Sequence, residues 1–502
     1  MGITPETIPK DMTALERLCV SEVLVDKHYG ALTSDSSRSV PPEKRGSTKK
    51  NGVGNSNGNA SGQQWSMPKL WVGQTLNDQV AQKAMDPSAS WFAKHRRLVA
   101  LVFPGLVANV IWWSYAFTNP SIFDSFTGVV GEAETPNWYM CITMAFGSMF
   151  AGVTSEGGGS VAFPVLTLAF GILPRVARDF SFMIQSAGMT AAAATIATMQ
   201  VQVEMYAIVY ATIGGVCGLV LGLEKIDPLL EPAYAKMIFV CTWATFAYSL
   251  FWLNRLHDRR VFKSIPSWDE GVIGKVSAPL PAGDGDLTLS LNWKACALLL
   301  CGFVGGIFSS ISGSGIDICT FSILTLLFRV SEKIATPTSV ILMAINTLVG
   351  FMYRQFVMGG MGPDVTTLFA VCVPIVVIGA PLGSLLGSHL HRLVMASLIY
   401  LVDGTQLISA LVILKPWTTE NTDTPLVLCI MSVAILVLGS LLFAALAKFG
   451  SKLLEHVEER ERLAPVNAQM KAEAEKARDE ETLLQAFKND AADGQEDVVI
   501  VV

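Results

Sequence analysis

Between Leu98 and Lys448 the chain alternates long apolar runs with short polar interruptions. The runs fall at about 98–118, 138–155, 157–173, 180–200, 205–223 and 235–253, and then at 293–312, 316–329, 335–353, 365–388, 393–414 and 425–447. Most approach the ~20 residues that carry a helix across a bilayer. The pattern predicts an all-α, polytopic transmembrane helical bundle. The run at 316–329 is short for a span, and a re-entrant half-helix is the alternative there. The first 97 residues contain no long apolar run, and Gly46–Gln64 is low-complexity and too polar to bury a core. A short amphipathic helix fits Pro9–Lys27, and the region after Ser451 reads as a charged helix broken near Pro465. Five regions follow: an N-terminal tail (1–97), a first transmembrane half (98–253), a polar loop (254–292), a second transmembrane half (293–450) and a charged C-terminal tail (451–502).

Charge sets the orientation. Lys94–Arg97 precedes the first run, and no Lys or Arg lies in 119–137, so the positive-inside rule puts the N-terminus in the cytosol. Asn254–Arg260 and His389–Arg392 also read as cytosolic, and Thr418–Thr424 as outside. The C-terminal tail then lies in the cytosol, where it reads as a solvated helix, with an oligomerisation or docking element as the alternative; the terminal Asp497–Val502 has weak features of a strand-addition ligand. Asn59-Ala60-Ser61 has the form of a glycosylation acceptor but falls on the cytosolic side. No cleavable signal is evident after Met1.

The two halves share a pattern. Thr167, Phe170, Arg175, Ala177 and Ser181 match Thr325, Phe328, Lys333, Ala335 and Ser339, each 158 residues on. Upstream, Ser155–Leu166 faces Ser312–Leu324 once a gap of one or two residues is allowed. If every run crosses, the first copy begins outside and the second inside, which makes the homologous repeats inverted. Matched interruptions in apolar segments are the best sequence pointer to a transporter binding site.

The interruptions have a chemistry. Gly157-Gly158-Gly159 holds a helix poorly, and broken backbone at membrane depth must line a cavity or be buried in protein. A helix restarting after the break presents unpaired N–H groups and a positive dipole end, which suit an anion. Thr154, Ser155 and Ser160 add hydroxyl donors; Ser312, Gly313, Ser314 and Gly315 offer the same chemistry in the second copy. Close helix packing is the competing use of such small residues. Gln185 and Asn346, on the following helices, can bond either substrate or a neighbouring helix. Glu156, Asp317 and Asp403 lie in or beside apolar runs, where a carboxylate needs water or a partner. Glu156 and Asp317 are candidates for proton coupling; Asp317 could instead cap the helix that follows it, and Asp403 reads as a cross-helix hydrogen-bonding group. Arg175 and Lys333 read as interfacial anchors.

Composition narrows the function classes. The chain is 51% hydrophobic and 16% charged, with a net charge of −6, against the ~25% charge of a soluble domain. No basic stripe interleaved with aromatics supports nucleic-acid binding. The nine cysteines form no CxxC pair and the six histidines lack metal-ligand spacing, so no metal or cofactor is expected. No Ser/His/Asp constellation marks an enzyme.

Ala151–Ser186, with Gly157–Gly159, Pro164, Gly171, Pro174 and Ala177, resembles the first signature of the sulfite exporter TauE/SafE family, and Gly305–Asn346 resembles the second. The resemblance spans roughly Tyr139 to Gly450. It implies a multi-pass permease for small sulfur-containing oxyanions such as sulfite or organosulfonates, without a prosthetic group. The second copy departs in having Gly-Ser-Gly for a glycine run and no equivalent of Pro164. Two other readings of the same residues are an anion channel and a non-transporting membrane scaffold or receptor, alone or as a homo-oligomer.

Overall fold

The computed structural model describes residue 91 and residues 95–492, apart from 131–134, 256–259, 269–273, 280–285 and 420–421. The expected Pro9–Lys27 helix, the Asn59 acceptor and the C-terminal Asp497–Val502 lie outside the described residues.

Thirteen α-helices are described. They are α1 (Arg96–Thr118), α2 (Ser121–Thr127), α3 (Trp138–Val153), α4 (Gly158–Pro164), α5 (Pro174–Met199), α6 (Met205–Leu221) and α7 (Pro232–Arg255), then α8 (Trp293–Ser312), α9 (Ile316–Ser322), α10 (Glu332–Met352), α11 (Pro363–His389), α12 (Arg392–Leu414) and α13 (Pro425–Ala492). Among the described residues nine helical stretches are long and apolar enough to cross a membrane, and three shorter ones are apolar. The short ones are α3 and the segments Gly158–Ala169 and Ile316–Leu327, in which α4 and α9 each run on as a π turn.

Lipid explains the inside-out distribution of side chains. Most of α1, α12 and the apolar part of α13 stay exposed in the isolated chain, as helices at a bilayer boundary do. Inside the bundle, lipid tails provide no hydrophobic drive, so helices associate by close backbone approach. Two pairs use it. A methyl group on Gly214 or Gly218 of α6 would collide with the Leu299 or Phe303 carbonyl of α8, and one on Gly302 or Gly306 of α8 with the Ala211 or Gly215 carbonyl of α6. Likewise α3 lies along α11, with Gly152 against Ala380 and Ser384, Gly379 against Ser148, and Gly387 against Val153. The long helices α5 and α10 run antiparallel between these pairs: Gly350 meets the Phe182 ring, and Arg354 meets Asp179.

The two short helices each fold back on the helix before them. Gly147 of α3 packs on Val161 of α4, and Gly305 of α8 packs on Ile316 and Cys319 of α9. Both then widen into a π turn, at Val165–Ala169 and Ile323–Leu327.

Three features differ from the sequence expectation. The spacing of 158 runs through the glycine clusters without a gap: α4 and α9 start at Gly158 and Ile316. The Thr154 hydroxyl donates to the Phe150 and Glu156 carbonyls, just as the Ser312 hydroxyl donates to those of Phe308 and Ser314. The helices are joined by two small antiparallel hairpins, β1 (Val129–Val130) with β2 (Thr135–Pro136) and β3 (Gly274–Pro279) with β4 (Asp286–Leu291), so the polar loop is not all irregular. Finally, α13 passes Pro465 unbroken. Four residues upstream, Glu461 is half exposed, where water can take the bond that proline removes.

Candidate functional site

The structure brings the two interruptions together. Asp317 of α9 is the link. Its Oδ2 accepts the Gly157 N–H from the first break (2.9 Å) and the Ser314 hydroxyl from the second (2.8 Å), while its Oδ1 accepts the Gly315 N–H (2.7 Å). Three donors from two breaks therefore converge on one buried carboxylate. This is the arrangement that unpaired helix-start amides favour, an oxyanion on N–H groups, with the oxyanion supplied by the protein itself. Asp317 is thus more than a cap for its own helix, since one of its bonds crosses to the other half.

Gln185, midway along α5, seals the junction. Its amide donates to the Gly313 carbonyl (2.8 Å) and to the Ser181 carbonyl (3.1 Å), and its Oε1 is buried without a donor. A side chain on Gly157 would collide with this Oε1 and with the Met343 sulfur; one on Gly159 would meet the Gln185 amide at 2.5 Å. Gly158 is different: its nearest neighbours leave room for a methyl group, at 3.6–3.9 Å. The backbone of the second break depends on glycine. Gly313 has φ 81° and closes α8 by donating to Ser309, in the left-handed region that other residues resist.

The expected hydroxyl donors divide. Thr154, Ser160 and Ser312 spend their protons on carbonyls of their own breaks; Ser160 donates to Gly157 at 2.6 Å. Ser314 donates to Asp317, and Ser155 is buried without a partner. Asn346 is apart from this junction. It is fully buried, faces Gly215 of α6 near Ile316, and both its amide atoms lack partners.

Glu156 and Asp403 form a second focus. Both are buried, and the two carboxyls lie within hydrogen-bonding reach of each other. One turn further along α12, Gln406 donates to the Ser160 carbonyl (2.8 Å). Asp403 does make a cross-helix contact, but its partner is another acid, which spacing along the sequence did not reveal.

Two polar ends bracket the site. At one, Arg178 pairs with Asp179 and Asp227 (both 2.7 Å), and Arg354 pairs with Asp179 (2.6 Å). The sequence reading missed this cluster; the visible signal was an Arg-Asp pair set inside an otherwise apolar helix. Arg175 joins its rim through Asp227 at 3.5 Å. At the other end Glu204 accepts the Ile265 N–H (3.0 Å), Lys294 donates to the Pro266 and Ser267 carbonyls, and Phe262 bridges to Val330. Burial raises the Glu204 pKa above the usual carboxylate value, against the bonds from Ile265 and Tyr206. From this end a narrow crevice lined by Glu332, Thr336, Arg392 and Asn254 reaches Thr154 and Ser155. A roomier crease of about 620 Å³ lies elsewhere, among α1, α2, α3 and α11; its lining is almost wholly apolar and includes no residue of either break.

The profile of the family described as Sulfite exporter TauE/SafE matches residues 139–410, from α3 into α12. The chain belongs to the TauE/SafE family. The match covers both interruptions, Asp317 and Asp403, and leaves out α1 and α13. TauE/SafE proteins are membrane transporters, not enzymes, and the helices of this member place it as an integral multi-pass membrane protein. No curated protein and no solved structure matches it.

Proposed function

We propose that the protein is a secondary transporter of small sulfur-containing oxyanions, sulfite or organosulfonates, which it holds between the two interruptions. The grip on Asp317 carries this reading. Donors that converge on a carboxylate from two sides suit any compact oxyanion, and a substrate arriving beside Asp317 shares them. In this scheme Gly157, Gly158, Gly159, Gly313 and Gly315 provide backbone access. Ser155, Ser314 and Gln185 orient the anion, while Thr154, Ser160 and Ser312 hold the surrounding backbone; Asn346, with both amide atoms unpartnered, is the remaining polar group near the start of α9.

Alternating access follows from treating the halves as inverted repeats. The matched starts of α4 and α9, of the two π turns, and of α5 and α10 support that treatment. So does the exchange of partners, in which α3 packs on α11 and α8 on α6. With α3–α4 and α8–α9 folding back on themselves, the first pair enters from outside and the second from the cytosol. Both termini and the 254–292 loop are then cytosolic, the transmembrane halves are 98–253 and 293–450, and the C-terminal tail is free to meet a partner. The buried Arg178–Asp179–Arg354 cluster closes the outer end, which favours a transporter over an open channel.

The test is exchange in reconstituted vesicles with sulfite, sulfate, a sulfonate and chloride. Saturable exchange of sulfur oxyanions over chloride is expected. Single-channel currents would establish a channel instead, and absence of any flux would favour a scaffold.

A further inference from the structure

We infer that Glu156 and Asp403 share one proton and that this proton travels with the anion. The inference rests on the anion-site reading above and names its coupling ion. Two carboxyls in contact must contain a proton between them, because ionised carboxylates have only acceptors. All four of their oxygens are buried without any other donor, and the neighbouring Gln406 Oε1 and Ser155 Oγ are buried without partners too. The groups facing Glu156 are both acids, Asp403 from α12 and Asp317 from α9; the group facing Asp403 is Glu156. No ion pair among the described residues joins Glu156, Asp403 or Asp317 to a cation.

Asp317 does not share this role. Its oxygens face donors, so it is already served as a carboxylate. The paired acids, by contrast, need their proton to stay in contact. Unprotonated, two like charges at this separation and in this low dielectric repel strongly. The repulsion would act on a moving part: Glu156 directly precedes Gly157, whose N–H belongs to the anion site. The crevice from Glu332 and Arg392 ends at Ser155, the residue before Glu156.

The direction of coupling follows from charge. An anion arriving beside Asp317 adds to a buried region that already contains three acids. Retaining the proton on the pair limits that accumulation, so proton and anion move together.

The probe is methanesulfonate, whose charge is constant across neutral pH, unlike that of sulfite. For a monovalent anion moving with one proton the cycle is electroneutral. One pH unit should then support about tenfold accumulation, and clamping the membrane voltage should not change it. Asp403→Asn should reduce that accumulation to none while labelled and unlabelled methanesulfonate still exchange. Should D403N lose exchange as well, Asp403→Glu must restore both activities together. Accumulation by D403N equal to that of the original protein would overturn the inference, as would failure of D403E to restore function. Exchange without pH-driven accumulation in the original protein would overturn it and leave the anion site standing. Absence of exchange in the original protein would instead remove sulfonates from the anion-site reading, and this inference with them.

Discussion

The three consecutive glycines are not equivalent. Gly157 and Gly159 abut Gln185 and Met343, whereas Gly158 has space for a methyl group. Gly158→Ala should therefore transport at close to the unmodified rate. Gly157→Ala and Gly159→Ala should lose tenfold or more, ~1.4 kcal/mol, because each displaces Gln185 from the Gly313 carbonyl; initial rates in vesicles would separate the three. A second residue-scale prediction concerns His391, which caps α12 by accepting the Leu393 N–H on its Nδ1 (3.2 Å). Burial, with Arg392 and Lys333 nearby, lowers its pKa from 6.5. The folded state therefore binds this proton less readily than the unfolded chain. Its contribution is complete above pH 6.5 and is lost as pH falls through the lowered folded value. Melting in detergent should show a stability slope on acidification that His391→Asn flattens, since asparagine caps without titrating.

At the level of elements, the tightest joints are glycine faces. Gly218→Leu would force α6 off the Phe303 carbonyl of α8, and overpacking a close joint costs about 1–3 kcal/mol or more. A lower melting temperature and poorer extraction as a single species should follow, whereas Gly404→Ala, with open space around it, should be silent. Much of this level was legible. Length and hydropathy located the helices, because lipid requires continuous apolar runs with satisfied backbone. The Gly/Ser clusters, not the spacing, marked the breaks; the reading allowed a gap there that the starts of α4 and α9, 158 residues apart, do not need. The fold-back of α4 and α9 was left open: the shortness of 316–329 raised a re-entrant half-helix, but a segment of a dozen apolar residues reads alike whether it crosses or returns. The β3–β4 hairpin was partly legible: Leu287, Leu289 and Leu291 alternate with Thr288 and Ser290, a period-two signal hidden in a loop judged by polarity alone. The Glu156–Asp403 contact was beyond sequence because the two acids meet only through the packing of α12 on the first break.

For the whole molecule, the buried ion cluster is the costliest part to disturb. Asp179 serves both Arg178 and Arg354. Asp179→Asn leaves buried cations short of charge, and breaking such a pair costs about 3–5 kcal/mol. A double-mutant cycle of D179N with Arg354→Gln, read by melting, should recover part of that loss. The opposite end has a different fastening. Arg329 donates to the Ala447 carbonyl (3.1 Å) and to the Ser451 hydroxyl (2.7 Å), and Gly450 presses on the Leu326 carbonyl. Arg260 adds Glu461 at 2.7 Å. The Arg329 and Gly450 contacts join α13 to the π turn that follows α9 and its exit, and Arg260 joins it to the 254–292 loop. At about 1.5 Å per residue, its 68 residues make a rod of roughly 100 Å, of which the bilayer core occupies about 30 Å. The remainder is a stiff handle. Whatever grasps its far end gains mechanical leverage on the short helix that carries Asp317.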